Sequence, residues 1–273
     1  MRYISFLHQG RPGYGRLAGE TVLPLTGPAD LKAALAAGPL ADLPAGAPLP
    51  LAEVTLLPPI PNPGKIICIG LNYAAHIAEM GRETLERPAI FTRWPDTLVA
   101  HGQPLLRPLA SAQLDYEGEL AIVIGRPGRR IPAANAFEHI AGFSVFNDAS
   151  VRDWQRHNSQ FTPGKNFPAT AGFGPALVTP DEIADLPQTR VQTRLNGQLV
   201  QDQPIADMLC PIAEIVAYLS AFTPLAPGDV IATGTPSGVG DKRQPPLYLK
   251  AGDKVEVTIG EVGTLSNPVI DEA

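Results

Sequence analysis

Two glutamates separated by a single glycine, Glu117 and Glu119, have the spacing in this 273-residue chain that most directly suggests chemistry. They precede an apolar run, Leu120 to Ile124, which is closed by Gly125 and predicts a buried strand. Residues two apart on a strand point to the same face, so the two carboxylates would project together. Protons, a basic partner or a cation must offset their repulsion, and a hard divalent ion is the simplest choice. An ordinary solvated strand entry is the alternative.

A second candidate for chemistry is the pair of His76 and Glu79, which stand three residues apart. They lie in an alanine-rich stretch, Leu71 to Gly81, that follows a predicted buried strand over Lys65 to Gly70. If the stretch is helical, the two side chains are neighbours on one face. A carboxylate beside an imidazole orients the ring for general acid or base chemistry. An ordinary surface pair would show the same spacing.

Polar residues also follow a predicted strand that ends at Asp148. Ser150 and Asp153 have the spacing of a capping box, so a helix is expected to begin there. Arg152 and Gln155 would then share a face of its first turn. The sequence leaves open whether Asp148 is a functional carboxylate or a turn residue, and whether Arg152 is functional or a solvated helix charge.

Two glycine-containing loops add further candidates. One loop, Thr162 to Phe167, holds a single lysine, Lys165, and such a lysine is usually a surface charge. The other lies within Pro227 to Gly240, where backbone amides and the Thr235 hydroxyl could contact an anionic group. It lacks the Gly-Lys-Ser/Thr ending of a Walker loop, and a plain turn is the alternative.

The elements that would position these residues are mostly short strands. An alternating segment around Asn196 and Gly197 predicts a hairpin, and the segment Pro211 to Phe222 predicts an amphipathic helix. No regular alternation of strands and helices is sustained along the chain. The sequence therefore predicts a mainly β fold with peripheral helices, of the α+β class.

The first part of the chain is expected to form a small N-terminal domain over residues 1 to 60. It contains short predicted strands and a helix over Asp30 to Ala37, which is ended by Gly38. The stretch Pro48 to Gly64 carries six prolines and should be extended and stiff. A domain boundary is therefore predicted there, with a catalytic domain over residues 64 to 273.

Composition narrows the class of protein. Hydrophobic residues make up 44% of the chain, enough for a sizeable core, and 26 glycines with 30 prolines predict many turns. The net charge of −6 and the lack of a basic stripe make nucleic acid and anionic membranes poor partners. The sequence shows no signal-peptide core, membrane-length apolar run or cysteine pattern, so a soluble cytoplasmic protein is expected.

Five segments together resemble the motifs of the fumarylacetoacetate hydrolase family, and the chain is most similar to its short acylpyruvase-type members. The segments follow one another in the family's order and span about residues 64 to 270. They are Ile69 to Glu79, Asp115 to Gly125, Asn147 to Gln155, Gly164 to Phe167 and Ile231 to Gly240.

This resemblance implies a mixed β-sandwich roll, usually a homodimer, with Mg²⁺ or Mn²⁺ held by Glu117, Glu119 and Asp148. It implies that His76 and Glu79 activate water, on a segment from about residue 73 to 94 that tends to act as a lid. Longer members add a fourth carboxylate upstream, but no acid stands between residues 65 and 78 to fill that place. The resemblance also implies a catalytic role for Lys165 and substrate contacts from Tyr73, Arg152, Gln155 and Thr235.

The implied reaction is hydrolysis of a carbon–carbon bond in a 2,4-diketo acid, of the acylpyruvate or fumarylpyruvate type. A metal would act as Lewis acid on the small 2-oxo acid, His76 would take a proton from water, and the metal with Lys165 would stabilise a pyruvate enolate. The same site would serve oxaloacetate decarboxylation or keto–enol isomerisation, and a catalytically silent metal-binding protein is a remote alternative. Arg82, Arg93 and Arg156 are candidates to bind a second substrate carboxylate, or ordinary surface charges.

Overall fold

The computed structural model describes residues 1–83 and 86–273, and it confirms a mainly β fold with peripheral helices. The strands are β1 (Arg2–His8), β2 (Arg11–Ala18), β3 (Thr21–Pro24), β4 (Leu49–Pro50), β5 (Val54–Leu57), β6 (Ile66–Gly70), β7 (Ala89–Arg93), β8 (Leu98–Val99), β9 (Leu105–Arg107), β10 (Leu114–Asp115), β11 (Gly118–Ile124), β12 (Ile140–Asn147), β13 (Ser150–Val151), β14 (Ala171–Val178), β15 (Arg190–Leu195), β16 (Gln198–Pro204), β17 (Val230–Ala232), β18 (Lys254–Ile259) and β19 (Gly263–Asp271). The helices are α1 (Leu31–Ala37), α2 (Ala74–Glu79), α3 (Arg152–Gln155), α4 (Thr162–Lys165) and α5 (Ile212–Phe222).

Strand β11 is the central element around which the rest of the molecule is arranged. It belongs to a sheet with the order β4-β3-β2-β1-β14-β12-β11-β17-β6-β7, in which β5 also pairs with β1 and β8 with β14. Every residue of β11 is buried, as the apolar run from Leu120 to Ile124 predicted. Strands lie on both sides of it, so its backbone donors and acceptors find partners within the sheet.

The strand register brings several chain segments together at one edge of this sheet. Strand β12 runs antiparallel to β11 and pairs Asn147 with Gly118, so the residue after β12 lies beside the start of β11. The amide of Asp148 donates to the carbonyl of Glu117 at 2.8 Å. Strands β17 and β6 are parallel to each other, and β17 is antiparallel to β11, so both end at this same edge. The segments that follow them, including α2, therefore begin next to Glu117 and Asp148.

A second sheet, with the order β16-β15-β18-β19-β9, packs against the first. Its first two strands form the hairpin predicted at Asn196 and Gly197, where both residues adopt positive φ. A methyl group at Gly118 would collide with Thr193 and Val257 of this sheet. The glycine between the two glutamates is therefore required by the close approach of the sheets.

The N-terminal strands extend the large sheet through pairing of β1 with β14. Helix α1 occupies the range expected from the sequence, and the Asp30 side chain caps it by accepting the amide of Ala33 at 2.7 Å. The division into a domain over residues 1 to 60 and one over 64 to 273 stays a prediction.

Two local predictions were wrong. Ser150 does not cap a helix, because it lies in β13 opposite Asp115, and α3 begins after Val151 without a side-chain cap. Lys165 does not lie in an open loop, because it ends helix α4 and is buried. None of the helices in the described ranges has the length and hydropathy that crossing a bilayer requires.

Candidate active site

Three carboxylates form a buried cluster at the sheet edge described above. Glu117 precedes β11, Glu119 lies within it, and Asp148 follows β12. One oxygen from each residue lies within 4.8 Å of the others, and all three residues are buried. The proximity expected for Glu117 and Glu119 is therefore present, and the register of β12 adds Asp148.

Two buried cations contact this cluster from one side. The Lys165 ammonium donates to Glu117 Oε2 at 2.7 Å, to Asp148 Oδ2 at 2.6 Å and to the Asp148 carbonyl at 3.1 Å. The Arg152 guanidinium lies 2.6 Å from Glu117 Oε1 and donates to Asp115 Oδ2 at 2.8 Å. Burial alone would raise the pKa of Glu117, but Lys165 and Arg152 outweigh it and lower that pKa. Glu117 is therefore held as a carboxylate.

Glu119 differs from the other two carboxylates in its partners. Its Oε2 accepts the amide of Gly234 at 2.8 Å, and within residues 1–83 and 86–273 no cationic side chain forms a salt bridge with it. Burial raises the pKa of Glu119 well above its usual range, and the charges of Asp148 and Glu117 raise it further. The cluster offers carboxylate oxygens as ligands, and Glu119 among them has no cationic side chain as partner in the described part of the chain. This donor set fits a hard divalent metal ion.

Metal binding is expected to release a proton from Glu119 and to weaken as the pH falls. Because burial raises the pKa of this carboxyl, the metal-free protein retains its proton to a higher pH, and a cation must displace that proton. Calorimetric titration with Mn²⁺ in buffers of different protonation enthalpy measures the number of protons released. An affinity that does not change from acidic to neutral pH, without proton release, would contradict this expectation.

The His76 and Glu79 side chains lie together on α2, as their spacing indicated. His76 Nδ1 is 3.3 Å from Glu79 Oε2. Both Glu79 oxygens accept the amide of Gly238, at 3.0 and 3.1 Å, which connects α2 to the loop after β17. Because Nδ1 faces the carboxylate, Nε2 is the ring nitrogen left for a substrate.

A cavity of about 460 Å³ opens over the carboxylates and collects most of the predicted site residues. Two of the predicted residues, Glu79 and Asp148, do not line the cavity, but they contact His76 and Lys165, which do. Tyr73 is fully buried, its hydroxyl has no partner in the described structure, and it does not line the cavity. The predicted residues that line it are His76, Glu117, Glu119, Arg152, Gln155, Lys165 and Thr235.

Thr235 and Gln155 are fixed by neighbours at the cavity wall. The Thr235 hydroxyl donates to the Gly118 carbonyl at 3.1 Å and accepts from Gln201 at 2.8 Å. The Gln155 side-chain oxygen accepts from Arg152 at 3.0 Å, which leaves its amide nitrogen directed elsewhere. The Gln155 amide nitrogen therefore retains donors for a ligand, whereas Thr235 has already used its one hydroxyl hydrogen.

Several important residues were missed or misread at the sequence level. Asp115 accepts from Arg152 and from the amides of Gly240 and Asp241, so it fixes the guanidinium from behind. Arg93 is not available to a substrate, because it is buried against Asp148. Both contacts join residues far apart in sequence, and no local pattern signals them.

The remaining two arginines proposed for a second carboxylate, Arg82 and Arg156, do line the cavity. Arg156 also pairs with Asp241, and its side chain is 55% exposed. The lid expected from about residue 73 to 94 includes residues 84 and 85, which lie outside the described residues.

Comparison with known proteins gives concordant matches. The model of the fumarylacetoacetate hydrolase C-terminal domain matches residues 65–270, and a model of an Rv2993c-like N-terminal region matches residues 1–59. The chain is 45% identical over 223 residues to oxaloacetate tautomerase YisK of Bacillus subtilis, which covers 80% of this chain and 74% of that protein. It is 41% identical over 224 residues to the human mitochondrial oxaloacetate tautomerase FAHD2A, which covers 81% of this chain and 71% of that protein.

Solved structures resemble the chain over its full length. The 5-carboxymethyl-2-hydroxymuconate delta-isomerase of Mycobacterium smegmatis has a TM-score of 0.85 at 33% identity, with 100% of both chains covered. The fumarylacetoacetate hydrolase of Exiguobacterium antarcticum has a TM-score of 0.86 at 37% identity, again with 100% of both chains covered. With the family model matching most of its length, this chain belongs to the fumarylacetoacetate hydrolase family.

Proposed function

We propose that this protein is a metal-dependent keto–enol tautomerase of 2-oxo dicarboxylic acids, with oxaloacetate as the substrate to test first. The observation that carries the proposal is the buried cluster of Glu117, Glu119 and Asp148, since both glutamates line one cavity with His76. The choice of tautomerisation over cleavage is supported by relatives at 40 to 45% identity that are named oxaloacetate tautomerases. Tautomerisation needs an acid or base at carbon 3 but no attacking water.

The metal would be Mg²⁺ or Mn²⁺, held by the three carboxylates and completed by water. When bound, it supplies Lewis-acid stabilisation of the enolate that forms when carbon 3 of a 2-oxo acid loses a proton. Glu117 and Asp148 would contribute as charged ligands that Lys165 holds in place. Glu119 would contribute the carboxylate that has no cationic partner of its own.

His76 would take the proton from carbon 3 and return it to the 2-oxygen of the enolate, or carry it in the reverse direction, so that the proton is moved within the substrate. Its Nε2 is the nitrogen not facing Glu79, and its ring lines the cavity beside the carboxylates. Glu79 would orient the ring and favour the imidazolium after proton transfer. Both Glu79 oxygens also accept the Gly238 amide, which would fix the pair relative to the substrate.

Lys165 and Arg152 would act mainly through their charge and by orienting the carboxylates. An ammonium has three N–H donors, and those of Lys165 are used by Glu117 Oε2, Asp148 Oδ2 and the Asp148 carbonyl. Arg152 is similarly engaged with Asp115, Glu117 and Gln155. The Gln155 amide nitrogen is therefore the better candidate to donate a hydrogen bond to substrate. Thr235 donates its one hydroxyl hydrogen to Gly118, so it would only accept from substrate, for example from an enol hydroxyl. A substrate role for Tyr73 stays a prediction.

Hydrolysis of 2,4-diketo acids, which the sequence first indicated, is the second candidate function. It is favoured by the contact of His76 with Glu79, since such a pair can also activate water. Decarboxylation of oxaloacetate would use the same cluster. A homodimer, a cytoplasmic location and the closure of a lid stay predictions.

The test is an assay of the full-length protein with oxaloacetate, an acylpyruvate and fumarylpyruvate, with Mg²⁺, with Mn²⁺ and with EDTA. The proposal expects the protein to accelerate the decay of the ultraviolet enol absorbance of oxaloacetate over the uncatalysed rate. This acceleration should be lost in EDTA and restored by metal, and it should exceed the rate at which the diketo acids are cleaved. Faster carbon–carbon cleavage than tautomerisation would favour the hydrolase. Metal binding without turnover of any of them would favour the catalytically silent protein.

Arg156→Ala is expected to raise KM for oxaloacetate by roughly tenfold, the effect of one partly exposed charge-assisted hydrogen bond. Arg156 directly follows α3, about one helical turn beyond Arg152, and it lines the cavity, where its charge would meet a second substrate carboxylate. Oxaloacetate and its 4-ethyl ester are compared, since the ester lacks that charge. Arg126→Ala, which removes an exposed arginine paired with Glu138, is the control. An equal rise of KM for both compounds would contradict a role in charge recognition.

A further inference from the structure

The structure assigns Arg93 a positioning role toward the candidate metal ligand Asp148. Arg93 is the last residue of β7, and its side chain is 0% exposed. It does not line the cavity, so it cannot touch substrate and must act through its neighbours. This inference rests on the proposed function only in taking Asp148 as a ligand of the metal.

The contacts of Arg93 hold Asp148 and the backbone that carries it. Nη1 donates to Asp148 Oδ1 at 2.5 Å and to the carbonyl of Ala149 at 3.0 Å. Nη2 donates to the Thr170 hydroxyl at 2.7 Å, and Thr170 in turn donates to the Phe167 carbonyl. The planar guanidinium thus connects the turn after β12 to the segment after α4, with a fork geometry that an ammonium lacks.

The two carboxylate oxygens of Asp148 each accept a hydrogen bond from a different cation. Oδ1 accepts from Arg93, and Oδ2 accepts from Lys165. Rotation of the carboxylate would break one of these contacts, and an unpaired buried charge is costly. The Asp148 side chain therefore has one orientation, which keeps its ligand oxygen within reach of those of Glu117 and Glu119.

The charge of Arg93 and its orienting contacts would affect metal affinity in opposite directions. A buried arginine beside the cluster repels a divalent cation, so removal of its charge would tighten metal binding if electrostatics were its main effect. If Arg93 acts by orientation, removal of the fork weakens metal binding, since loss of a partner that orients a ligand typically costs roughly 10–100-fold in metal affinity. The two roles therefore differ in the sign of the change.

The experiment measures the Kd of Mn²⁺ for the full chain by calorimetry, without substrate, for wild type, Arg93→Met and Arg93→Lys. Weaker binding by roughly 10–100-fold is expected for Arg93→Met. Arg93→Lys, which retains the charge but not the fork, is expected to be weakened as well. Arg129→Met is the matched control, because within residues 1–83 and 86–273 Arg129 donates only to the carbonyls of Ser220 and Ala221 near the end of α5.

Thr170→Val provides a variant that keeps every charge, in case Arg93→Met does not fold. This substitution removes the hydroxyl that accepts a hydrogen bond from Arg93 Nη2, so it is expected to weaken Mn²⁺ binding by a few-fold. Thermal unfolding in EDTA checks that the variant is folded. Unchanged or tighter binding in the folded variants, with normal binding in wild type, would overturn the inference and leave the proposed function intact. Failure of wild type to bind Mn²⁺ or Mg²⁺ would overturn both.

Discussion

Replacement of Glu119 by glutamine is expected to abolish both metal binding and every metal-dependent activity. Glutamine retains the shape and can still accept the Gly234 amide, so the local hydrogen bond and the packing survive. It lacks the negative charge, and Glu119 is the carboxylate of the cluster that no salt bridge compensates within the described ranges. The loss should exceed the roughly 10–100-fold effect of an outer partner, because a ligand itself is removed.

The measurement combines Mn²⁺ titration, oxaloacetate tautomerisation and thermal unfolding in EDTA. Because the substitution also removes a buried carboxyl whose pKa is raised, the metal-free variant should be at least as stable as wild type at neutral pH. Glu256→Gln, on β18 of the second sheet, is the control for loss of one acid elsewhere. Retention of tight Mn²⁺ binding in Glu119→Gln would mean that the metal does not sit at this cluster.

Replacement of His76 by alanine is expected to lower tautomerisation by roughly 10²–10⁴-fold, the usual effect of losing a general acid or base. Its contact with Glu79 and its place in the cavity make it the titratable side chain best suited to move a proton at carbon 3. The affinity for Mn²⁺ should be unchanged, because the three carboxylates are untouched. Decarboxylation of oxaloacetate, which needs mainly the metal, should fall much less.

The comparison of the reactions makes this substitution informative. Cleavage of an acylpyruvate should fall with tautomerisation, since an activated water also requires the base. His139→Ala is the control, because His139 does not line the cavity and, among the described residues, its ring hydrogen-bonds the Arg126 carbonyl. If His76→Ala tautomerises oxaloacetate at nearly the wild-type rate while metal stays bound, another group moves the proton and His76 serves only to shape the cavity.

Local patterns were sufficient to predict several elements of the fold. The apolar run at Leu120 to Ile124 predicted β11, because a strand covered on both faces tolerates no polar alternation. Asn196 and Gly197 predicted their hairpin through their tolerance of positive φ. The failure at Ser150 has the opposite cause, because strand pairing with Asp115 overrides the local capping preference.

For the site, residue types could be predicted but burial could not. Lys165 looked like a surface lysine because it stands in a predicted loop with glycine and proline. Its burial is instead compensated by the charges of Glu117 and Asp148, which lie 48 and 17 residues away in the chain. Arg93 is likewise paired with Asp148 across 55 residues. Such ion pairs depend on strand order and register, which a single sequence does not specify. Sequence therefore names the candidate ligands more readily than the residues that orient them.

The two halves of the candidate site are carried by different parts of the molecule. The carboxylates lie at β11 and β12 in the middle of the large sheet, whereas His76 and Glu79 share α2, in the connection from β6 to β7. The Gly238 amide, in the loop after β17, donates hydrogen bonds to Glu79 on α2 and so connects the two segments. A displacement of α2 would carry the histidine and its carboxylate away together and leave the candidate metal ligands undisturbed. With the proposed function, product could then leave without loss of the ion, so that one loading event would serve many turnovers.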